Sequence, residues 1–126
     1  MSMRLLLDTH LLLWALATPS RLPVAARRAI DTSEVHVSAA SIWEVSIKAA
    51  LGKLAAKSHD VLAAIKPAGF ELLPIHGEHA AEVALLPMHH RDPFDRMLIA
   101  QARVERMRLL SNDDALRIYG DFVVIA

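Results

Sequence analysis

Short apolar segments alternating with helical ones run through the whole chain of 126 residues, and they restrict its fold more than any other feature. Arg4-Leu5-Leu6-Leu7 ends at Asp8-Thr9, two residues suited to capping, and Leu11 to Ala17 continues in helix-compatible composition. Pro19 and Pro23 punctuate the end of that helix, and Val24 to Asp31 reads as a second one. Val35 to Ser38 alternates β-branched with polar residues and leads into a helix from Ala39 to Leu51 that Gly52 terminates. Ser58 to Lys66 is a further helix, Phe70 to Leu73 a third strand, and His76 to Leu86 a helix halted by Pro87. Pro93 opens a helix reaching Arg106; Leu109-Leu110 and Val123 to Ile125 are the last two strands, around a helical turn at Asp114 to Ile118.

Strands this short, separated by helices, are joined by crossovers. The pattern therefore predicts an α/β fold with a mainly parallel central sheet of about five short strands, covered on both faces. No repeat or low-complexity linker interrupts it, and residues 1–126 read as a single domain. Ligands of such sheets collect beyond the carboxyl ends of the strands, so residues just past those ends are the ones to inspect.

Composition narrows the chemistry. Fourteen Lys plus Arg balance fourteen Asp plus Glu, so no global positive field draws in polyanions, and any such partner must be held locally. The absence of Cys removes disulfide scaffolds, thiol nucleophiles and thiolate metal sites. Arg4 and the following leucines imitate a signal peptide, but Asp8 and His10 interrupt the apolar run; a soluble cytoplasmic protein is the expectation.

Four acids fall near the strand ends or the adjoining helix starts: Asp8, Glu44, Asp95 and Asp113. Singly, each has an ordinary explanation. Asp8 and Asp113 suit N-caps, Asp95 complements a helix dipole, and Glu44 stands one turn before Lys48. Together they are harder to dismiss, because two like charges ~4 Å apart repel by roughly 4 kcal/mol at an effective dielectric of about 20. A divalent cation relieves that repulsion, and an all-carboxylate set suits Mg²⁺ or Mn²⁺. Spacing alone does not separate Asp92 from Asp95 or Asp114 from Asp113.

Four segments, in this order, carry a family resemblance: Leu5-Leu6-Leu7-Asp8-Thr9, Ser41-Ile42-Trp43-Glu44-Val45, His90-Arg91-Asp92-Pro93-Phe94-Asp95-Arg96-Met97-Leu98-Ile99-Ala100-Gln101-Ala102, and Leu110-Ser111-Asn112-Asp113. The chain resembles the PIN-domain nucleases, and more narrowly the VapC-type toxins of bacterial toxin-antitoxin pairs. The resemblance implies a PIN-like three-layer α/β/α sandwich and a metal-dependent endoribonuclease that hydrolyses RNA phosphodiester bonds to leave a 5′-phosphate and a 3′-hydroxyl. Its catalytic and metal-holding residues would be Asp8, Glu44, Asp95 and Asp113, holding Mg²⁺ or Mn²⁺, with the hydroxyls of Thr9 and Ser111 orienting neighbouring carboxylates. Motif position favours Asp95 over Asp92 and Asp113 over Asp114. The partners implied are an RNA substrate and a cognate antitoxin that lays a peptide segment across the groove.

Arg91, Arg96 and His90 are candidates for an RNA-facing rim, since Arg forks grip phosphate and would offset repulsion from the acids; a merely solvated face is the competing reading. Trp14, Trp43 and Phe94 read as core or interface, and Leu11 to Leu16 or Met97 to Val104 as a homodimer face. His76-Gly77-Glu78-His79 and His89-His90 lack the spacing of a zinc enzyme. His10 stands where an aspartyl phosphatase carries a second Asp. A non-catalytic RNA- or protein-binding module is the alternative function, and the presence of all four acids counts against it.

Overall fold

A computed structural model describes residues 3–126; Met1 and Ser2 lie outside the described residues. Its centre is one parallel sheet of β1 (Arg4–Leu7), β2 (Glu34–Ser38), β3 (Glu71–Leu73), β4 (Arg108–Ser111) and β5 (Val123–Ile125), in the order β3-β2-β1-β4-β5. Helices α1 (Thr9–Ala17) and α2 (Val24–Thr32) connect β1 to β2, α3 (Ala39–Ala50) and α4 (Ser58–Ile65) connect β2 to β3, and α5 (Gly77–Val83) and α6 (Pro93–Glu105) connect β3 to β4. A 3-10 turn, Asp114–Tyr119, leads to β5.

The three layers follow from side-chain alternation along the strands. Leu5, Leu7, Val35, Val37 and Leu110 face one side and pack with Leu11 and Leu12 of α1, Ala26 of α2, Val45 of α3 and Val61 and Ile65 of α4. Leu6, Leu73, Leu109 and Val123 face the other and pack with Leu98, Ile99 and Ala102 of α6 and with Leu86. Each buried Leu or Val contributes about 1.5 to 3 kcal/mol. This is the parallel α/β/α sandwich that the alternating pattern predicts.

From β1 the chain steps outward to β2 and β3, then returns to the far side of β1 as β4. The strand order thus reverses between β1 and β4, and the crevice beyond their carboxyl ends is where a sheet of this kind accepts a ligand.

Three expectations change. The stretch Met97 to Val104 is not a free face: Leu98, Ile99, Ala100, Gln101 and Ala102 are buried against the sheet, and of its apolar residues only Val104 is exposed. The helix read as His76 to Leu86 ends at Val83, and the carbonyls of Val83, Leu86 and Pro87 turn to the guanidinium of Arg96. Arg96 therefore does not stand on a phosphate-gripping rim. It is 7% exposed, and its remaining hydrogen bonds go to the carbonyl of His90 and the hydroxyl of Tyr119.

The His76-Gly77-Glu78-His79 segment is also structural. His79 is fully buried; its Nδ1 accepts from the His76 backbone N–H at 3.0 Å, which leaves the proton on Nε2 to donate to Glu105 at 2.8 Å. That bond holds the Glu105 carboxyl below the usual carboxylate range. Gln101, donating to the Pro74 carbonyl and accepting from Ser38, continues the network beneath the sheet.

The two arginines of the motif should separate under conservative substitution. Arg96→Lys keeps the charge but loses the planar fork that reaches several carbonyls at once, and should lower stability to urea unfolding by about 2 kcal/mol. Exposed Arg91→Lys should change it by less than about 0.5 kcal/mol. Equal losses would contradict the inward placement of Arg96.

Candidate active site at the carboxyl ends of β1 and β4

Asp8 is the first residue past β1, and its backbone N–H extends the pairing with β4 by donating to the Leu110 carbonyl at 3.0 Å. Its side chain caps α1, with Oδ1 accepting from the Leu11 N–H at 2.9 Å. The other oxygen, Oδ2, accepts from the Ser111 hydroxyl at 2.5 Å and from the Asn112 N–H at 3.3 Å, both at the end of β4. One carboxylate is thus locked to both strands that flank the crevice. Burial nevertheless pushes the Asp8 carboxyl above its ordinary pKa, against the lowering effect of those hydrogen bonds.

Glu44 arrives on α3, which Ser38 caps by accepting from the Ala40 N–H. It lies a turn and a half into that helix and is 6% exposed. Thr9, the neighbour of Asp8, donates to Glu44 Oε1 at 2.7 Å and lies 2.9 Å from the Ser41 hydroxyl. Lys48 sits one turn further along α3 and donates to Glu44 Oε2. That bond raises the Lys48 pKa, so the ammonium stays charged beside Glu44, Asp92 and Asp95.

Asp92 and Asp95 take different roles. Asp92 is the N-cap of α6, its Oδ1 accepting from the Phe94 and Asp95 N–H groups. Asp95 lies in the first turn and faces the crevice, with Oδ2 2.8 Å from His90 Nε2. Burial, aided by the charges of Asp92 and Glu44 and opposed by the His90 hydrogen bond, raises the Asp95 carboxyl to about 6. Beyond β4 a similar division holds. Asp113 caps the 3-10 turn through the Ala115 N–H while its own N–H donates to Ser111, whereas Asp114 points outward and pairs with Arg117.

These contacts connect all four acids. Ser111 joins Asp8 to the Asp113 backbone, the ligand atoms of His90, Asp95 and Asp113 lie within 4.8 Å of one another, Glu44 acts electrostatically on Asp95, and Thr9 returns from Glu44 to the residue beside Asp8. The donor set is carboxylate oxygen with one imidazole nitrogen, which fits a small divalent cation. The cap and pair explanations that suit each acid singly are all realised, and they serve to aim the same carboxylates. Glu34, His36 and Glu71 also converge, but along the first half of β2 and at the amino end of β3, away from the crevice.

The Glu44–Lys48 pair that the i, i+4 spacing predicts is formed, but on a buried rather than an exposed face of α3 at Glu44, and sequence reasoning missed His90 as a neighbour of two acids. Trp43 is not a core residue. It is 59% exposed, edge-on to Phe94 at 5.2 Å, and the two border a groove of about 530 Å³ whose lining includes Ile75, Val83, Met88 and Arg91. The groove adjoins Glu44 and Asp95 through the residues next to them in sequence. Among the described residues no helix is long and apolar enough to cross a membrane.

No curated protein matches the chain closely in sequence. Among solved structures it is similar to VapBC2 from Rickettsia felis bound to a DNA fragment from their promoter, at 13% identity and a TM-score of 0.70, with 98% of both chains covered. It is also similar to DNA-bound VapBC from Salmonella typhimurium, at 16% identity and a TM-score of 0.65 over 98% of this chain and 95% of that one. FitAcB from Neisseria gonorrhoeae shares 21% identity with a TM-score of 0.64, over 97% and 96%. Identities this low speak to the fold. The family model of the PIN domain matches residues 5–121, nearly the whole chain, and the protein belongs to the PIN domain family.

Proposed function

We propose that the chain, as one PIN domain, is a metal-dependent endoribonuclease and the toxin of a VapBC-type toxin-antitoxin pair. The observation that carries the reading is the convergence at the β1/β4 crevice: Asp95 and Asp113 oxygens lie within 4.8 Å of each other, Ser111 joins the Asp8 carboxylate to the Asp113 backbone, and the hydroxyl of Thr9, next to Asp8, holds Glu44. Two of these acids, Asp8 and Asp95, have raised pKa values, the mark of carboxylates gathered out of water.

Asp8, Glu44, Asp95 and Asp113 would hold one or two Mg²⁺ or Mn²⁺ ions. Such ions supply an activated water and neutralise charge on the leaving oxygen of a phosphodiester. The chain's own residues do the rest. Ser111 and the Asn112 N–H keep Asp8 turned across β4, Thr9 keeps Glu44 turned toward Asp8, and Asp92 fixes the first turn of α6 so that Asp95 meets the crevice. Arg91, exposed at the adjoining groove, is available to a phosphate of the RNA backbone, as Arg96 is not.

The antitoxin reading is supported by the structural neighbours, among them a toxin-antitoxin complex from Klebsiella pneumoniae, and by the apolar groove beside the acids. A short partner gene with a DNA-binding half next to this one would agree with it.

Asp8→Asn and Asp95→Asn should fold and lose RNA cleavage by more than about 100-fold, beyond the tenfold to hundredfold expected of outer-shell changes. Variants that cut at the wild-type rate would refute the proposal. The measurement is end-mapping of defined RNAs with Mg²⁺ or Mn²⁺.

Metal-free protein should carry the same signature in its stability. The Asp95 carboxyl titrates near 6 in the folded chain and near 3.8 in the unfolded one, so between those values the folded state holds more protons. Its contribution therefore falls as pH rises from about 4 to about 6. Asp95→Asn should flatten that fall and raise the melting temperature of metal-free protein at pH 7.5, while abolishing the stabilisation that Mg²⁺ or Mn²⁺ gives the wild type. A variant with the wild-type pH profile and metal response would contradict it.

A further inference from the structure

We infer that His90 is itself a ligand of this metal centre, and that its nitrogen shifts the site's preference from Mg²⁺ toward divalent ions that accept imidazole. The inference rests on the metal-centre reading above and adds one donor of different chemistry, on residues that the acid motifs leave unassigned.

Position comes first. His90 Nε2 lies 2.8 Å from Asp95 Oδ2, and the ligand atoms of His90, Asp95 and Asp113 fall within 4.8 Å of one another. Donors around a single small cation at bonds of about 2.0 to 2.2 Å lie at most about 4.4 Å apart. The three groups are therefore close to the spread that one ion spans.

The ring is also delivered by a fixed backbone. The His90 N–H donates to the Tyr119 hydroxyl at 3.0 Å, and its carbonyl accepts from buried Arg96 at 3.3 Å. Tyr119 in turn donates to the Pro87 carbonyl, so the backbone N–H and C=O of His90 are held by one residue of the 3-10 turn and one of α6. A contact meant only for RNA would point its polar atom outward. Here the side chain is 24% exposed and its Nε2 is turned onto a carboxylate.

The chemistry then differs from an all-oxygen site. Mg²⁺ takes oxygen ligands almost to exclusion, whereas affinity for nitrogen rises from Mn²⁺ to Co²⁺.

Calorimetric titration of the full chain with Mg²⁺, Mn²⁺ and Co²⁺ tests this without reference to activity. His90→Ala should lower Co²⁺ affinity by about tenfold or more and Mg²⁺ affinity by less than about threefold, with Mn²⁺ between. His90→Asp, which returns an oxygen donor, should keep Mg²⁺ binding and still lose the preference for Co²⁺. If His90→Ala weakens all three ions equally, the ring only steadies Asp95; if it changes none, the ring lies outside the coordination sphere. Either result overturns the inference and, provided Asp95→Asn loses all three ions, leaves the nuclease reading standing. A wild type that binds none of the ions removes the metal centre and the inference together.

Discussion

Carboxylates held near each other and away from water repel, by roughly 4 kcal/mol for a pair ~4 Å apart at an effective dielectric of about 20. The crevice between β1 and β4 is organised around that repulsion. Asp8 is shielded by a hydroxyl and two backbone N–H groups, Glu44 by Thr9 and Lys48, and Asp95 by His90. Burial holds the carboxyls of Asp8 and Asp95 above their ordinary range, and for Asp95 the charges of Asp92 and Glu44 add to it. On the proposed function, a divalent cation would relieve that cost.

The fold makes the arrangement inexpensive to build. A parallel sheet already collects the carboxyl ends of its strands on one edge, and the strand order β3-β2-β1-β4-β5 opens a crevice where it reverses. Helix capping then does double duty. Asp8 and Asp113 begin α1 and the 3-10 turn, and in doing so point into the crevice, while Asp92 caps α6 and leaves its neighbour Asp95 free to face inward. Opposite faces of the sheet carry the two apolar clusters, so the polar edge is rigid because everything beneath it is packed.

Much of this was legible in the residues. The alternation of apolar runs with capped helical segments dictates a parallel sheet, and the same caps locate the strand ends; the choice of Asp8, Glu44, Asp95 and Asp113 among the acids near them rests on the resemblance to the PIN-domain motifs. The unreadable part has a common cause: direction. Whether Asp92 or Asp95 faces the crevice depends on which carboxylate the first turn of α6 takes as its cap. Arg96 and Arg91 stand in one motif with the same chemistry, but Arg96 is drawn inward by the carbonyls released where α5 stops at Val83. Trp43 sits in an apolar run and is still exposed, because Glu44 and Val45 take the inward face of α3 at that turn. His79 and His90 look alike in sequence; one closes a network under the sheet and the other meets the acids.

The central claim is that the gathered oxygens of Asp8, Glu44, Asp95 and Asp113 exist to surround a divalent ion. Crystals grown with Mn²⁺ and measured for its anomalous scattering test it most directly. The account predicts a peak in the crevice between β1 and β4, in contact with Asp95 and Asp113. A crystal with Mn²⁺ bound elsewhere, or with Asp8 and Asp95 turned to opposite sides of the molecule, would contradict it.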